Sequence, residues 1–110
     1  MKTAELTGAA LDWAVAKCEG AVFHLVESFM SYQEEDGMFM YSVTWSQGGP
    51  IIERERLCVM PYNDSWTCAT NGDHLQSHSM HGDTPLEAAM RCYVASKLGD
   101  EVEIPAELTR

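Results

Sequence analysis

The sequence predicts an α+β fold, in which a small antiparallel sheet packs with an N-terminal helix, a short middle helix and a C-terminal helix. Capped apolar repeats with helical spacing near both ends of the chain predict the outer helices. Short apolar runs separated by turn residues predict the sheet, either as a hairpin or as three to four strands. With 110 residues, 45% of them hydrophobic, we expect a single domain around one core.

The N-terminal helix is marked at both ends. Thr7 is a residue type suited to the N-cap, and Leu11 stands where it can pack back onto Leu6. Gly20 supplies the stop. The apolar residues between these signals recur at three- and four-residue spacing and predict the buried face: Leu11, Ala14, Val15 and Cys18.

A short helix is expected in the middle of the chain. Gly49 and Pro50 open it, because proline is tolerated where no intrahelical donor is needed, and it runs through Arg56. Upstream, residues 38–45 are expected to add a strand to the sheet.

Turn residues organise the segment after this helix. Residues 57–60 and 66–70 are apolar runs that flank the turn-forming residues 61–65, which predicts a hairpin. Residues 71–73 are a second turn signal, so residues 74–80 are expected to return as a third strand.

The C-terminal helix carries the strongest local signal. Thr84, Pro85 and Glu87 combine an N-cap, a proline at the first helical position and a capping-box glutamate, and Gly99 supplies the stop. Arg91 can pair with Glu87 one turn away, which gives it a structural role. One predicted stripe of the helix consists of Leu86, Ala89, Met90, Tyr93 and Lys97, with Val94 beside it. In the tail, Val102 and Ile104 are expected to lie across the core.

Charge and composition exclude several classes of function. The chain has 17 acidic and seven basic side chains, a net charge of -10, so it should be repelled by nucleic-acid backbones and by anionic membranes. No apolar run approaches the roughly 20 residues of a membrane span, and the start lacks a secretory signal, which predicts a cytoplasmic protein. Residues 21–48 contain acidic but no basic residues and are interpreted as a solvated loop.

The metal-ligating and nucleophilic side chains form no familiar site. Buried, reduced thiols are the expectation for all four cysteines, because none has Cys-x-x-Cys spacing. Histidines and neighbouring donors give a weak zinc pattern whose spacing is poor, so surface histidines are favoured over a metal site. That pattern comprises Cys68, Asp73, His74, His78, His81 and Asp83. We predict no catalytic residue and no cofactor.

Two features of the middle helix are candidates for binding. Exposed N–H groups in the turn Gly48-Gly49-Pro50 would favour an anion, with Arg54 facing it. Pro50 removes one donor, however, and Glu53 and Glu55 repel anions, so a plain helix-starting turn is favoured. Trp45 is expected in the core or at its rim. Its alternative role is an interface anchor, with an adaptable contact surface formed by Met30, Met38 and Met40.

Three segments resemble the NinX-like family of small lambdoid phage and prophage proteins, a family of unknown function. They are LTGAALDWAVAKCEG at 6–20, WSQGGPIIERE at 45–55 and TPLEAAMRCYVASKLGDEVEIP at 84–105, nearly half of the chain. The resemblance implies a helix-sheet-helix sandwich in a phage protein and implies no activity. The family pattern has a proline and an aspartate before Gly-Gly-Pro, where this chain has YSVTWS at 41–46. Residues 21–40 and 71–81 match less well.

Two hypotheses of function follow. The first is a non-enzymatic phage accessory protein that acts in the bacterial host and binds a host or phage protein through an acidic surface with Met and aromatic side chains. The second is a binder of a small anion or a metal, or a small enzyme. A homo-oligomer is compatible with both. The predicted binding residues are Trp45, Gly48, Gly49, Pro50, Glu53 and Arg54.

Overall fold

Helices and antiparallel strands alternate along the chain in a computed structural model that describes residues 1–20, 23–26, 29–32, 40–70 and 79–108. The predicted α+β fold, with N-terminal, middle and C-terminal helices around a small antiparallel sheet, is confirmed. The elements are α1 (Gly8–Cys18), β1 (Phe23–Val26), β2 (Phe29–Tyr32), α2 (Trp45–Glu55), β3 (Cys58–Tyr62), β4 (Ser65–Ala69), β5 (Met80–Gly82) and α3 (Pro85–Leu98). Strands β1 and β2 form one antiparallel pair, and β3, β4 and β5 form a three-stranded antiparallel sheet in that order.

Helix α1 follows its sequence signals, except that the hydroxyl of its N-cap residue bonds to another helix. Thr7 is the N-cap residue, but its hydroxyl donates to Glu87 Oε2 (2.7 Å) and thereby links α1 to α3. Leu6 and Leu11 are fully buried, as expected for residues that pack on each other across a helix start. Gly20 adopts a positive φ of 70°, which glycine tolerates without strain.

Helix α3 is the centre of the core. Thr84 Oγ1 accepts from the Glu87 N–H (3.1 Å), so the predicted cap is confirmed, and Gly99 follows the helix with φ 89°. The sheet, α1 and α2 all contact α3, which is therefore buried on more than one face. Its buried residues are Leu86, Ala88, Ala89, Met90, Cys92, Tyr93, Val94 and Ala95.

Arg91 ties α3 to its surroundings, as its predicted structural role requires. Its Nε donates to the carbonyl of Leu6 (2.6 Å) and its Nη1 to the carbonyl of His81 (2.8 Å). The predicted ion pair with Glu87 is present at 3.6 Å. Arg91 therefore supplies hydrogen bonds to two backbone carbonyls at the edge of the core, one before α1 and one in β5.

The three-stranded sheet packs one face on α3. Its hairpin turn contains only residues 63 and 64, with Asn63 at φ 53°, so it is shorter than the predicted 61–65. The third strand begins at Met80, and the rest of the predicted segment 74–80 is outside the described residues, except for Ser79, which is not in a strand. A Cβ on Gly82 would lie 2.5 Å from the Ala88 nitrogen, which shows how closely β5 approaches α3.

The start of α2 was predicted wrongly. The helix begins at Trp45, so Pro50 lies inside it and not at its first turn. Pro50 removes one helical N–H, but the side chain is exposed and the remaining turns are held by contacts of α2 with α3. The helix ends at Glu55, and Arg56 follows in the left-handed conformation (φ 55°).

Residues upstream of α2 also differ from expectation. The predicted strand 38–45 is wrong for its described part, because residues 40–44 form a turn and residue 45 begins α2. The interpretation of residues 21–48 as a solvated loop is wrong for β1 and β2, which pair antiparallel from Phe23 opposite Tyr32 to Val26 opposite Phe29. The acidic residues of this segment lie outside the described residues.

The tail behaves as predicted. Val102 is buried and its N–H donates to the Met1 carbonyl (2.9 Å), while Lys2 and Glu101 form an isolated antiparallel bridge. Ile104 packs against the core. The tail therefore lies along the N-terminal segment and covers one side of the core.

Candidate functional site

A turn formed by residues 40–44 leads into α2. The Met40 carbonyl accepts from the N–H groups of Val43 (3.2 Å) and Thr44 (2.9 Å). The Met40 N–H donates to the side-chain oxygen of Gln47 (2.8 Å), in the first turn of α2. The turn and the start of α2 thus hold each other in place through backbone and side-chain hydrogen bonds.

Asp12, a buried residue of α1, anchors this turn to α1. Its carboxylate is buried, and its Oδ1 accepts from the N–H of Ser42 (2.8 Å). Burial raises the pKa of Asp12, and the hydrogen bonds with Ser42 only partly oppose this. The Ser42 hydroxyl is itself buried and has no hydrogen-bond partner of normal geometry in the described part of the chain, although it lies close enough to Asp12 to affect that carboxyl.

Gly48 sets the distance between α2 and its neighbours. A Cβ at this position would lie 2.5 Å from the Tyr41 carbonyl oxygen and 2.7 Å from Leu86 Cδ2. Real Cβ atoms do not approach other atoms so closely, so only glycine allows α2 to lie against both the turn and α3. A Cβ on Gly49 would make only an ordinary contact, 3.8 Å from Trp45 Cε3.

A small cleft lies where the turn, the start of α2 and the start of α3 meet. Its volume is about 180 Å³, and it is open to solvent on one side. Beside it, Trp45 is 58% exposed and Val43 is 63% exposed, and Met40 is exposed as well. The lining residues, none of them charged, are Ser42, Val43, Trp45, Thr84, Pro85 and Leu86.

Most of the predicted binding residues lie on α2, but they do not form one site. The expectation that Trp45 lies in the core is wrong, because its side chain is 58% exposed and the buried residues of α2 are Gly48 and Ile51. The Gly48 N–H donates to the Thr44 carbonyl (2.9 Å), so it is engaged within the helix and not free for an anion. Pro50 and Glu53 are exposed. A binding role for these residues stays a prediction.

Arg54 lies at the other end of α2, in a cluster that joins the three helices. Its guanidinium donates to both oxygens of Glu19 (3.1 and 2.7 Å), to the Tyr93 hydroxyl (3.1 Å) and to Glu55 (2.9 Å). Lys97 lies 3.5 Å from Glu55. The hydrogen bonds from Arg54 lower the pKa of Glu19, while burial and the hydrogen bond with Glu19 raise the pKa of the Tyr93 hydroxyl. Arg54 therefore binds the protein's own carboxylates.

The described part of the weak zinc pattern is dispersed. Cys68 is buried in β4, whereas His81 is exposed on β5. The ring centroid of His81 lies 5.1 Å from that of Tyr62. Asp83 is exposed as well. Across residues 1–20, 40–70 and 79–108, no three His, Cys, Asp or Glu side chains are grouped to hold a metal. His74 and His78 lie outside the described residues.

The four cysteines, all within the described residues, form no disulfide, and they differ in exposure. Cys68 and Cys92 are buried as expected, Cys18 is half-buried, and the expectation of burial is wrong for Cys58, which is exposed on the outer face of β3. A hydrogen bond with Cys92, together with burial, raises the pKa of Cys68, and burial raises the pKa of Cys18 to about 11. Cys18 and Cys68 are thus held as thiols, which are poor nucleophiles.

The residues that sequence reasoning missed lie on the far wall of the cleft. Thr84, Pro85 and Leu86 were assigned to capping and core packing, and both assignments are correct. Their second role, to form a wall facing Val43 and Trp45, depends on contacts between positions about 40 residues apart. Proline at the first position of a helix is the one local signal, since it has no N–H and presents an apolar ring.

The comparison with known families decides the lineage. The family described as "Bacteriophage P22, NinX" matches residues 2–97. The chain belongs to the NinX family. The NinX match runs from the N-terminal segment almost to the end of α3, so it includes both walls of the cleft, and the resemblance seen in three sequence segments is confirmed. No curated protein shows a significant match. Membership supports a phage accessory protein, and the NinX description names no chemical activity.

Among the described residues of this NinX-family chain, no helix is long and apolar enough to cross a bilayer.

Proposed function

We propose that the chain is a non-enzymatic phage accessory protein that binds a host or phage protein in the cytoplasm of the bacterial host. The contact surface is the cleft together with Met40, Val43 and Trp45. The observation that carries the proposal is the exposure of Trp45 at the mouth of a cleft whose other wall is Pro85 and Leu86. Aromatic anchors beside a pocket are the residues that dominate binding at protein interfaces.

The apolar area available at Trp45 is large enough to matter. A tryptophan side chain has roughly 150–250 Å² to bury, and at 58% exposure on the order of 100 Å² remains open to solvent. At about 25 cal/mol per Å², covering it is worth about 2.5 kcal/mol, or close to a hundredfold in affinity. Val43 adds a smaller apolar area at the same edge of the cleft.

The support under the cleft favours tight binding. The Asp12–Ser42 and Gln47–Met40 hydrogen bonds fix the turn, and the close approach at Gly48 fixes α2 against α3. A surface that is already ordered loses little conformational entropy when a partner binds, so more of the apolar gain appears as affinity.

The charge of the protein indicates the character of the partner. The cleft lining carries no charge, while the chain as a whole has a net charge of -10, with Asp83 directly before Thr84 and Glu53 two turns beyond Trp45. An apolar side chain flanked by basic residues would fit this arrangement, because opposite potentials accelerate encounter and improve specificity.

The test is capture of partners from phage-infected or lysogenic bacteria with tagged protein. The wild type is compared with Trp45→Ala and with a matched control, Tyr62→Ala, which removes an aromatic side chain of similar exposure from the sheet. We expect a protein that is enriched by the wild type and the control and is lost with Trp45→Ala. Recovery of no partner, or of the same partners with all three baits, would contradict the proposal.

A second measurement addresses the alternative class of function. Native mass spectrometry with and without a chelator, and a thermal-shift screen of nucleotides, should show no bound metal and no stabilisation of the protein. A defined mass increment, or a rise in Tm with one compound, would favour a small-molecule or metal binder instead.

A further inference from the structure

Two of the four cysteines meet inside the core. Cys68 lies in β4 and Cys92 lies in α3, and the exposure of each residue is 0%. Their thiols share a hydrogen bond where the sheet packs on α3. The two residues are separated in the sequence by β5 and by the first half of α3, so the fold brings them together and not the local chain.

The register of the sheet separates this pair from Cys58. Cys58 lies opposite Ala69 in the β3–β4 ladder, whereas Cys68 lies opposite Val59. Because neighbouring residues of a strand point to opposite faces of a sheet, the Cys58 and Cys68 thiols point to opposite faces. Cys58 is exposed to solvent, and Cys68 is directed into the core. Cys92 is therefore the thiol that Cys68 can reach.

We propose that Cys68 and Cys92 are a site of reversible oxidation, at which hydrogen peroxide produces a disulfide that ties the sheet covalently to α3. A disulfide needs its two sulfurs to close to about 2.05 Å, and thiols that already share a hydrogen bond face each other along the line on which that bond forms. In reducing cytoplasm such a pair rests as two thiols, and its disulfide forms transiently under oxidising conditions.

The chemistry starts at Cys92. The hydrogen bond with Cys68 lowers the pKa of Cys92, so Cys92 supplies the thiolate while Cys68 keeps its proton. The Cys92 sulfur attacks one oxygen of hydrogen peroxide, the O–O bond breaks, and a sulfenic acid and hydroxide form. The Cys68 sulfur then attacks the Cys92 sulfur, the S–O bond breaks, and the departing oxygen takes the Cys68 proton and leaves as water. The two thiols lose two electrons and two protons in total, and peroxide is reduced to two molecules of water.

Burial decides which oxidants reach the pair. Because neither residue is exposed, a reagent has to enter through a local opening of the core, and a small opening admits hydrogen peroxide. Glutathione disulfide is a much larger molecule, so it should react with the exposed Cys58 and leave the buried pair unchanged. The two oxidants therefore distinguish the buried pair from an accessible thiol.

The first test is peptide mapping of the full chain after treatment with hydrogen peroxide and alkylation of the remaining thiols. Trypsin cleaves after Arg56, Arg91 and Lys97, which places Cys68 in peptide 57–91 and Cys92 in peptide 92–97. We expect these two peptides to be joined, with the loss of two hydrogens. The matched control is Cys58→Ser, which removes the other cysteine of peptide 57–91 and should give the same joined pair.

Thermal melts give the second readout. The disulfide closes the loop from residue 68 to residue 92, which restricts the unfolded chain, so oxidation should raise the Tm by roughly 10 °C and dithiothreitol should reverse the rise. Cys58→Ser should show the full rise and Cys92→Ala should show none. If Cys92→Ala does not unfold cooperatively, the joined peptides of Cys58→Ser decide.

Four results would overturn the proposal. They are two free thiols at Cys68 and Cys92 after peroxide treatment, a sulfinic acid on Cys92 without a cross-link, a cross-link that instead contains Cys18 or Cys58, and a joined pair that leaves the Tm unchanged or lower.

Discussion

Replacing Gly48 with alanine tests how closely α2 packs on the turn and on α3. The added methyl group would lie 2.5 Å from the Tyr41 carbonyl oxygen and 2.7 Å from Leu86 Cδ2. Neither atom moves easily, because the Tyr41 carbonyl oxygen is part of the backbone of the anchored turn and the Leu86 side chain is buried in the core. Gly49→Ala is the matched control, since beyond its chain neighbours its methyl group would meet only Trp45 Cε3, at 3.8 Å.

The two substitutions should change stability to different extents. Alanine is favoured over glycine within a helix by roughly 0.5–1 kcal/mol, but at Gly49 the new Cβ crowds the ring of Pro50, so Gly49→Ala should leave the free energy of unfolding close to that of the wild type. At Gly48 the helical gain is outweighed by overpacking, which costs about 1–3 kcal/mol. We expect Gly48→Ala to be less stable than Gly49→Ala by about 1–2 kcal/mol, or about 4–8 °C in Tm for a chain of this length.

Urea denaturation followed by far-ultraviolet circular dichroism measures this difference without depending on the fluorescence of Trp45. The midpoint of Gly48→Ala should lie below that of the wild type, and the midpoint of Gly49→Ala close to it, with similar m-values. If Gly48→Ala is as stable as Gly49→Ala, the turn and α3 do not lie as close to α2 as described, and the geometric account of the cleft is wrong.

Three further predictions concern the cap and two carboxylates. Thr84→Ala should lower the free energy of unfolding by about 1 kcal/mol in urea denaturation, because the Glu87 N–H loses its acceptor. Burial raises the pKa of Asp12, so the wild type loses stability as pH rises through the folded pKa and the buried carboxyl ionises. Asp12→Asn cannot ionise there, so its stability relative to the wild type should be greater at neutral pH than in acid. An unchanging difference between the two proteins would refute this. Arg54 lowers the pKa of Glu19, so the ionised Glu19 stabilises the fold at neutral pH, and this stabilisation is lost as pH falls through the folded pKa. Glu19→Gln should therefore lower the free energy of unfolding by about 0.5–1 kcal/mol near neutrality, a range that allows for the exposure of Arg54, and should have no effect in strong acid. Thermal melts across pH would measure both.

Elements whose signals are local were predictable from the sequence. The cap of α3 depends on Thr84 and Glu87, three residues apart, and the β3–β4 hairpin depends on two apolar runs next to each other. The predicted strand at 38–45 failed over its described residues, 40–45, where Asp12, a residue 30 positions away from Ser42, accepts a hydrogen bond from the Ser42 N–H and holds it in a turn. The start of α2 was misplaced for a related reason: the proline that usually marks a first turn lies here in the helix interior.

The cleft could not have been predicted by the same reasoning. Its two walls come from residues 42–45 and 84–86, which meet only because α2 packs on α3. Trp45 illustrates the limit, since aromatic residues are usually well buried, whereas in α2 the buried residues are Gly48 and Ile51 and Trp45 is exposed. Gly48 was interpreted as part of a possible anion-binding turn, whereas its main effect is to allow α2 to lie close to the turn and to α3.

The three tryptophans occupy unequal environments, and this gives the protein a built-in optical probe. Trp13 and Trp66 are partly buried against the core, whereas Trp45 is open to solvent. A neutral quencher such as acrylamide should therefore reduce mainly the emission of Trp45, and a ligand that covers the cleft should protect that emission and shift it to shorter wavelength. Binding at the cleft could then be followed in unlabelled protein, and a Trp45→Phe variant would supply the background signal.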